Sequence, residues 1–345
     1  AETIGPGDLL AIDAELLEQK RRRLGFGIEV SSNDGLRLNG YWLHRNLFGG
    51  AERLRFDLDI ENIGVTDRDN GTDYSVSGQF RVPAIWGPDN DLYVVGRIAR
   101  EDEPGYLSDT IDLGAGITRI FSDTLEGSVG VLYRAGRVED AFGERDYQLL
   151  GLPVQLTWDT RDDKLDATEG FFVRGLVQPF AGLSGIESGA LSTLDARTYW
   201  ALGDRVVLAG RAQLGSLFGP DPQDAPPDYL FFAGGGDSVR GQPYQSLGIG
   251  EVDDTIVGGS SYVALSGEVR TKVRGPIGLV GFFDAGYVGP EDFYDGSGEW
   301  MSGAGLGVRY DTGFGPLRVD LATPVDGGPD DASDFQIYIG IGQAF

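Results

Sequence analysis

The chain is 345 residues long and carries 28 Lys and Arg against 54 Asp and Glu, a formal net charge of -26, with 55 Gly, one His and no Cys. That charge excludes nucleic acid as a partner, because phosphate binding needs clustered Lys and Arg, and the missing Cys excludes disulfides and any Cys-based metal site or nucleophile. A 41% hydrophobic composition excludes disorder as the main state, and at roughly 150 residues per domain the chain is two or three ordinary domains or one large all-β domain, the reading its composition favours.

Residues 1–21 read as an N-terminal linker. Within it Leu9, Ile12, Leu16 and Leu17 stand at helical spacing after Gly5-Pro6-Gly7-Asp8, which predicts a short helix over 8–20 with Asp8 as N-cap. From residue 22 onward alternation takes over. Between Glu52 and Glu61, Leu54, Phe56, Leu58 and Ile60 alternate with Arg53, Arg55, Asp57 and Asp59 without exception. The same rule yields about sixteen strands, at 22–32, 36–46, 52–63, 74–83, 91–101, 108–119, 124–134, 145–158, 171–182, 192–201, 205–214, 260–273, 277–286, 302–311, 316–323 and 335–345. Short turns such as Phe48-Gly49-Gly50 and Arg274-Gly275-Pro276 alternate with long acidic loops such as 64–73 and 287–300. No run of about 18 apolar residues predicts a transmembrane helix, but an even number of alternating strands with alternating loop lengths is what an up-and-down transmembrane barrel requires. A large soluble β protein is the alternative, since its strands also alternate.

The stretch 215–259 reads as a loop between the eleventh and twelfth strands. Loops that long are rare unless functional or folded back into the protein, and Tyr229-Leu230-Phe231-Phe232 with Gly234-Gly235-Gly236 favours burial in the lumen. Alternation puts Val263, Leu265 and Val269 on the lipid face, so Ala264, Ser266, Glu268 and Arg270 point inward; Phe282 and Asp284 share one face opposite Phe283 and Ala285. Glycines weaken the two strands that must close the barrel: Gly25 and Gly27 in the first, Gly340 and Gly342 in the last. Catalysis is a poor reading, for a His-based triad would depend on His44 alone, at a strand end. The Asp67–Asp73 run resembles a calcium loop, but its Gly stands at position five and no Glu follows at position twelve, so an acidic solvated loop is the better reading.

Val239-Arg240-Gly241-Gln242-Pro243-Tyr244, in the long loop, resembles the Val-Arg-Gly-aromatic motif of the outer-membrane assembly-factor superfamily of BamA, TamA and the two-partner secretion transporters. Asp159-Thr160-Arg161-Asp162, closing at Gly170, is similar to that family's periplasmic turn. The run Trp42 to Leu54 and the ending Gly315 to Asp320 with Tyr338 to Phe345 resemble TamA proteins in particular. The motif aromatic is Gln242 here, and Ala167 replaces the usual Pro of the turn. The resemblance implies a sixteen-stranded barrel over 22–345, with residues 1–21 following a periplasmic docking domain. It implies that Val239, Arg240, Gly241 and Tyr244 form a loop tip locked onto Glu268, Phe282 and Asp284. It implies a lateral seam at Gly25, Gly27, Gly340, Gly342 and Phe345, the last also resembling the C-terminal aromatic by which such barrels are recognised. Its function would be insertion of outer-membrane proteins or autotransporters, without cofactor or covalent chemistry, in contact with outer-membrane lipid or lipopolysaccharide, unfolded clients and a TamB-like periplasmic partner. A two-partner secretion pore and a passive porin are the alternatives.

Overall fold

The computed structural model describes residues 19–31, 35–64, 71–253, 255–313, 315–329 and 335–345. The expected helix over 8–20 and the core of the Asp67–Asp73 run lie outside these residues except at their last positions. The alternating segments form β1 (Arg22–Ser31), β2 (Gly35–Arg45), β3 (Arg53–Ile63), β4 (Asp73–Val82), β5 (Asn90–Glu103), β6 (Tyr106–Ile120) and β7 (Leu125–Asp140). There follow β8 (Gly143–Gly151), β9 (Val154–Asp159), β10 (Gly170–Ser184), β11 (Gly189–Leu202) and β12 (Val206–Phe218). After a hairpin of β13 (Gly250–Val252) and β14 (Thr255–Val257), the chain runs through β15 (Ser261–Arg274), β16 (Ile277–Gly289), β17 (Glu299–Thr312), β18 (Gly315–Asp326) and β19 (Gln336–Ile341).

All but the β13–β14 hairpin belong to one antiparallel sheet in which the strands pair in chain order, β8 and β9 sharing the place between β7 and β10, β12 pairs with β15, and β1 pairs with β19. The sheet therefore closes on itself. Its outer face carries the apolar half of the alternation: Phe56, Leu58, Val94, Ile98, Leu317, Val319, Leu321, Ile337 and Ile339 are all exposed, whereas Asp320 and Tyr338 between them are buried. A soluble protein rarely exposes apolar surface on this scale, and a continuous apolar band around a closed sheet is the mark of a barrel in lipid. That settles the choice left open between membrane and soluble β protein.

The structure corrects the expected elements in three places. The expected strand 145–158 is two strands lying end to end, with β8 pairing Leu132–Asp140 and β9 pairing Leu125–Val129 of β7. Pro153 causes the interruption, having no N–H to give the ladder, but its carbonyl still accepts from Gly130 at 3.0 Å, so the gap is bridged. The long loop is shorter than expected, since β12 continues to Phe218, and it has structure of its own: the β13–β14 hairpin and a 3-10 turn at Pro227–Tyr229. The last strand stops at Ile341 instead of reaching Phe345. Gly342 takes φ +93 and donates to the Pro316 carbonyl at 2.7 Å, a left-handed turn open to glycine that swings Phe345 off the sheet.

Candidate functional site

The inward turn of the loop tip places Arg240 on the polar faces of β15, β16 and β18. Its Nε and Nη2 donate to the two oxygens of Asp284 at 2.7 and 3.0 Å, its Nη1 donates to Glu268 Oε1 at 2.7 Å, and Asp320 stands 3.6 Å away. The guanidinium carbon lies 3.6 Å from the centre of the Phe282 ring, so the cation is gripped at its edges by carboxylates and on its face by an aromatic. The carboxylates have further partners. Arg270 Nε donates to Glu268 Oε2 at 2.7 Å, and Arg309 pairs with Asp320. Three guanidinium groups thus meet three carboxylates in a network whose members are all at most 6% exposed. At that burial a bare charge is intolerable, so the balance of signs is what lets the cluster exist.

Backbone geometry delivers Arg240 to this point. Gly241 has φ +96 and donates its N–H to the Tyr338 hydroxyl at 3.1 Å, and a Cβ there would run into the Thr323 backbone of β18. Gly241→Ala is therefore expected to lift the tip from the wall and open 219–260 to protease. Gly203→Ala, also at positive φ but with open space around it, should cost only about 1 kcal/mol and leave the loop protected. Gln242 occupies the motif's aromatic place, fully buried, and its Nε2 donates to the carbonyls of Ser302, Asp326 and Gly327 at 2.9, 3.1 and 3.1 Å. An aromatic ring there could not close these carbonyls. Val239 is buried with Ala233, Leu247, Val288 and Met301, and Tyr244 reaches across to donate to Glu103 of β5 at 3.0 Å.

A second anchor, absent from the sequence reading, holds the other end of the loop. Asp228 accepts from Arg134 of β7 at 2.7 Å and from the Tyr147 hydroxyl of β8 at 3.1 Å, while Arg134 also grips Asp112 of β6 at 2.6 and 2.8 Å. Gln178 of β10 donates to the Tyr229 hydroxyl at 2.9 Å, and Tyr229 packs with Val138, Leu149, Phe180 and Leu217. The segment is therefore fixed to β6–β10 at one end and to β15–β19 at the other. Arg134, Arg270, Arg309 and Asp320 were readable only as members of polar faces, since alternation gives a face and not a partner across the barrel.

The turn between β9 and β10 carries the Asp159–Asp162 segment. Arg161 pairs with Asp159 at 2.9 Å and lies 4.7 Å over the Phe172 ring, and Gly170 has φ +94. Asp162 accepts from the Thr168 hydroxyl at 2.6 Å and from the Thr168 and Glu169 N–H groups at 2.9 and 3.2 Å. Burial would raise its pKa, but these hydrogen bonds outweigh it and hold the carboxyl down at about 2. Ala167 is buried against Tyr199, Ala209 and Phe345, so the residue that replaces the usual Pro forms part of the seat for the Phe345 ring.

The expected seam residues divide. Every residue from Arg22 to Ser31 pairs with β2, but among the described residues β1 meets β19 only at Val30↔Ile339 and Ser31↔Tyr338. Gly25 and Gly27 lie in the part of β1 without a β19 partner, where Tyr41 and Asn39 of β2 fill the space a Cβ would take. Gly340 pairs with Arg318 of β18, whereas Gly342 and Phe345 have left the sheet, the Phe345 carbonyl accepting from Arg270 at 3.0 Å. The seam and the locked loop thus share one residue: Arg270 holds both Glu268 and Phe345.

The Omp85 superfamily domain matches residues 23–345. Outer envelope protein 80, chloroplastic, of Arabidopsis thaliana is 27% identical over 86% of this chain and 42% of its own length. Outer membrane protein assembly factor BamA of Nitratidesulfovibrio vulgaris is 25% identical over 94% of this chain and 42% of its own. The chain thus spans less than half the length of these relatives. Among solved structures, BamA from Haemophilus ducreyi lacking POTRA domains 1-3 superposes with TM-score 0.75 at 16% identity, covering 94% of this chain and 70% of that one. CdiB from Acinetobacter baumannii gives TM-score 0.62 at 16% identity, covering 94% and 60%. With its domain match and its lipid-facing band, the chain is an outer-membrane β-barrel that belongs to the Omp85 superfamily.

Proposed function

We propose that this barrel inserts other outer-membrane proteins, in the manner of the TamA type that its second-strand and terminal signatures resemble, and carries out no covalent chemistry. β8 and β9 count as one interrupted strand, giving sixteen strands over 22–345, with residues 219–260 folded into the lumen and residues 1–21 as a linker. The observation that carries this reading is the edge of β1. From Arg22 to Glu29 it has no β19 partner among the described residues, and Leu24, Phe26 and Ile28 on it are 63, 84 and 66% exposed. An unpaired strand edge is a template for another strand, and here the template already presents an apolar row at the spacing of a lipid-facing strand. Unfolded barrel or autotransporter chains are the clients that fit, with outer-membrane lipid around the seam and a TamB-like protein as periplasmic partner.

The second reading, a two-partner-type secretion pore, is supported by Arg53 and Arg55, which are exposed although they face the enclosed side, so water occupies the lumen beside the loop. The two readings part in one assay. A urea-unfolded barrel client is folded into liposomes with and without this protein reconstituted. Insertion predicts an acceleration of about tenfold or more, equivalent to ~1.4 kcal/mol off the barrier. No acceleration with steady ion conductance in the same liposomes would leave the pore.

A further inference from the structure

We propose that the enclosed wall of β1–β5 is a bipolar ion path that passes current more readily in one direction than the other. The proposal requires a water-filled lumen and does not depend on the insertion of clients.

The clearest strand carries the argument. On β3 the enclosed face reads Arg53, Arg55, Asp57, Asp59, Glu61 from the short-turn end to the long-loop end, two cations and then three anions. Its neighbours repeat the division. In register, Arg53 stands directly opposite Arg45 of β2 on one side and Arg81 of β4 on the other, a row of three guanidinium groups. At the far end Glu61 stands opposite Asp73 of β4. Like charges directly opposite one another destabilise a sheet, so both rows work against the fold and are not explained by it. Local partners relieve each only in part: Arg81 lies 3.6 Å from Asp91, and Glu61 is bonded to Arg37 at 2.5 Å, but Arg53 has no ion-pair partner among the described residues.

The rest of the lumen leaves this division intact. The Arg240 network holds three cations and three anions and adds no net charge. Arg134 at the second anchor faces two carboxylates, Asp112 and Asp228, and the extra anion is offset where Arg197 and Arg211 share Asp195. Eight residues separate Arg53 from Glu61, which at ~3.3 Å per residue and a tilt of about 40° sets the poles roughly 20 Å apart along the axis. The screening length is about 10 Å at 0.1 M salt and about 3 Å at 1 M, so the poles act as separate zones in dilute salt and vanish in concentrated salt. The short-turn zone gathers anions and the long-loop zone gathers cations. When the long-loop side is made positive, each zone's stored ions are driven toward the other and conductance rises. The opposite polarity empties the junction and lowers it.

The test uses the purified chain in planar bilayers, its orientation fixed by a biotinylated cysteine replacing Glu187, which streptavidin reaches only from the long-loop side; the chain has no other Cys. In about 0.05 M KCl the current with the long-loop side positive should exceed that at the opposite polarity by roughly 1.5-fold or more, and the ratio should fall toward one in 1 M KCl. Arg53→Glu with Arg55→Glu and Arg81→Glu should abolish the asymmetry. Should that variant fail to fold, Asp59→Asn with Glu61→Gln should reduce it from the other pole. Symmetric currents in dilute salt, absence of conductance, or asymmetry that persists in 1 M KCl or in the arginine variant would each overturn the proposal.

Discussion

Arg240→Ala should leave a folded barrel whose loop no longer holds its place, with noisy conductance and loss of most client insertion. The expected cost is about 3–5 kcal/mol, the range for removing one member of a buried ion pair, because the remaining carboxylates stay in a site that was dry. They are not equally affected. Glu268 keeps Arg270 and Asp320 keeps Arg309, but among the described residues Asp284 takes all its hydrogen bonds from Arg240. In the variant Asp284 keeps only the main-chain N–H of residue 240, at 3.2 Å, and loses both side-chain bonds, so the penalty sits on it. Asp284→Ala alone takes from Arg240 two of its three side-chain hydrogen bonds and leaves it Glu268, so the two single variants and the double should be non-additive by about 1–3 kcal/mol. Arg240→Lys should not rescue: an ammonium keeps the charge but cannot fork onto Asp284 while reaching Glu268. Heat-modifiable electrophoresis reports the barrel, protease cleavage within 219–260 reports the loop, and bilayer current with client folding reports function. Wild-type current and insertion in Arg240→Ala would show an ordinary structural salt bridge.

How much of this lock could be read in advance follows from what alternation encodes. Period two assigns a face without reference to distant strands, so Glu268 and Asp284 were correctly placed inward from the pattern around Val263, Leu265 and Phe283. The motif resemblance then named Arg240 as their partner. Neither source could supply Arg134 with Asp228, because that pair joins residues 94 apart across the lumen and neither belongs to a motif. The chain's end is opaque to alternation for a related reason. Phe335, Ile337, Ile339 and Ile341 alternate with the polar face, and nothing local distinguishes a strand that continues to Phe345 from one that leaves the sheet at Gly342. The departure depends on residues far off in sequence, Arg270 donating to the Phe345 carbonyl while Tyr199 and Ala167 pack with its ring. Gln242 departs from the motif, and what its amide does depends on the three carbonyls that surround it, which no local pattern encodes.

Cysteines introduced at positions 30 and 339 should, once oxidised, abolish client insertion while sparing ion conductance, and a reductant should restore it. These positions are opposite one another in the register, and antiparallel partners have Cα atoms about 4.5–5.5 Å apart, within the span a disulfide accepts. The bond would lock the short stretch at which β1 and β19 still touch, and with it the edge of β1 that, on the proposed mechanism, opens to admit another strand. The control is a pair at positions 76 and 98, outward-facing register partners of β4 and β5. Those strands pair without a break from Tyr74↔Arg100 to Val82↔Leu92, so a bond there adds nothing that the sheet does not already supply, and insertion should continue. Insertion that survives the 30–339 bond would remove the seam from the mechanism. Loss of conductance with insertion intact would point to a path through the seam itself. Lock and seam are joined at one further contact: because Gly241, next to Arg240, donates to the Tyr338 hydroxyl of β19, Arg240→Ala should loosen β19 as well as the loop. The 30–339 bond should then form faster or slower in that variant than in wild type, whereas the 76–98 bond should form at the same rate in both.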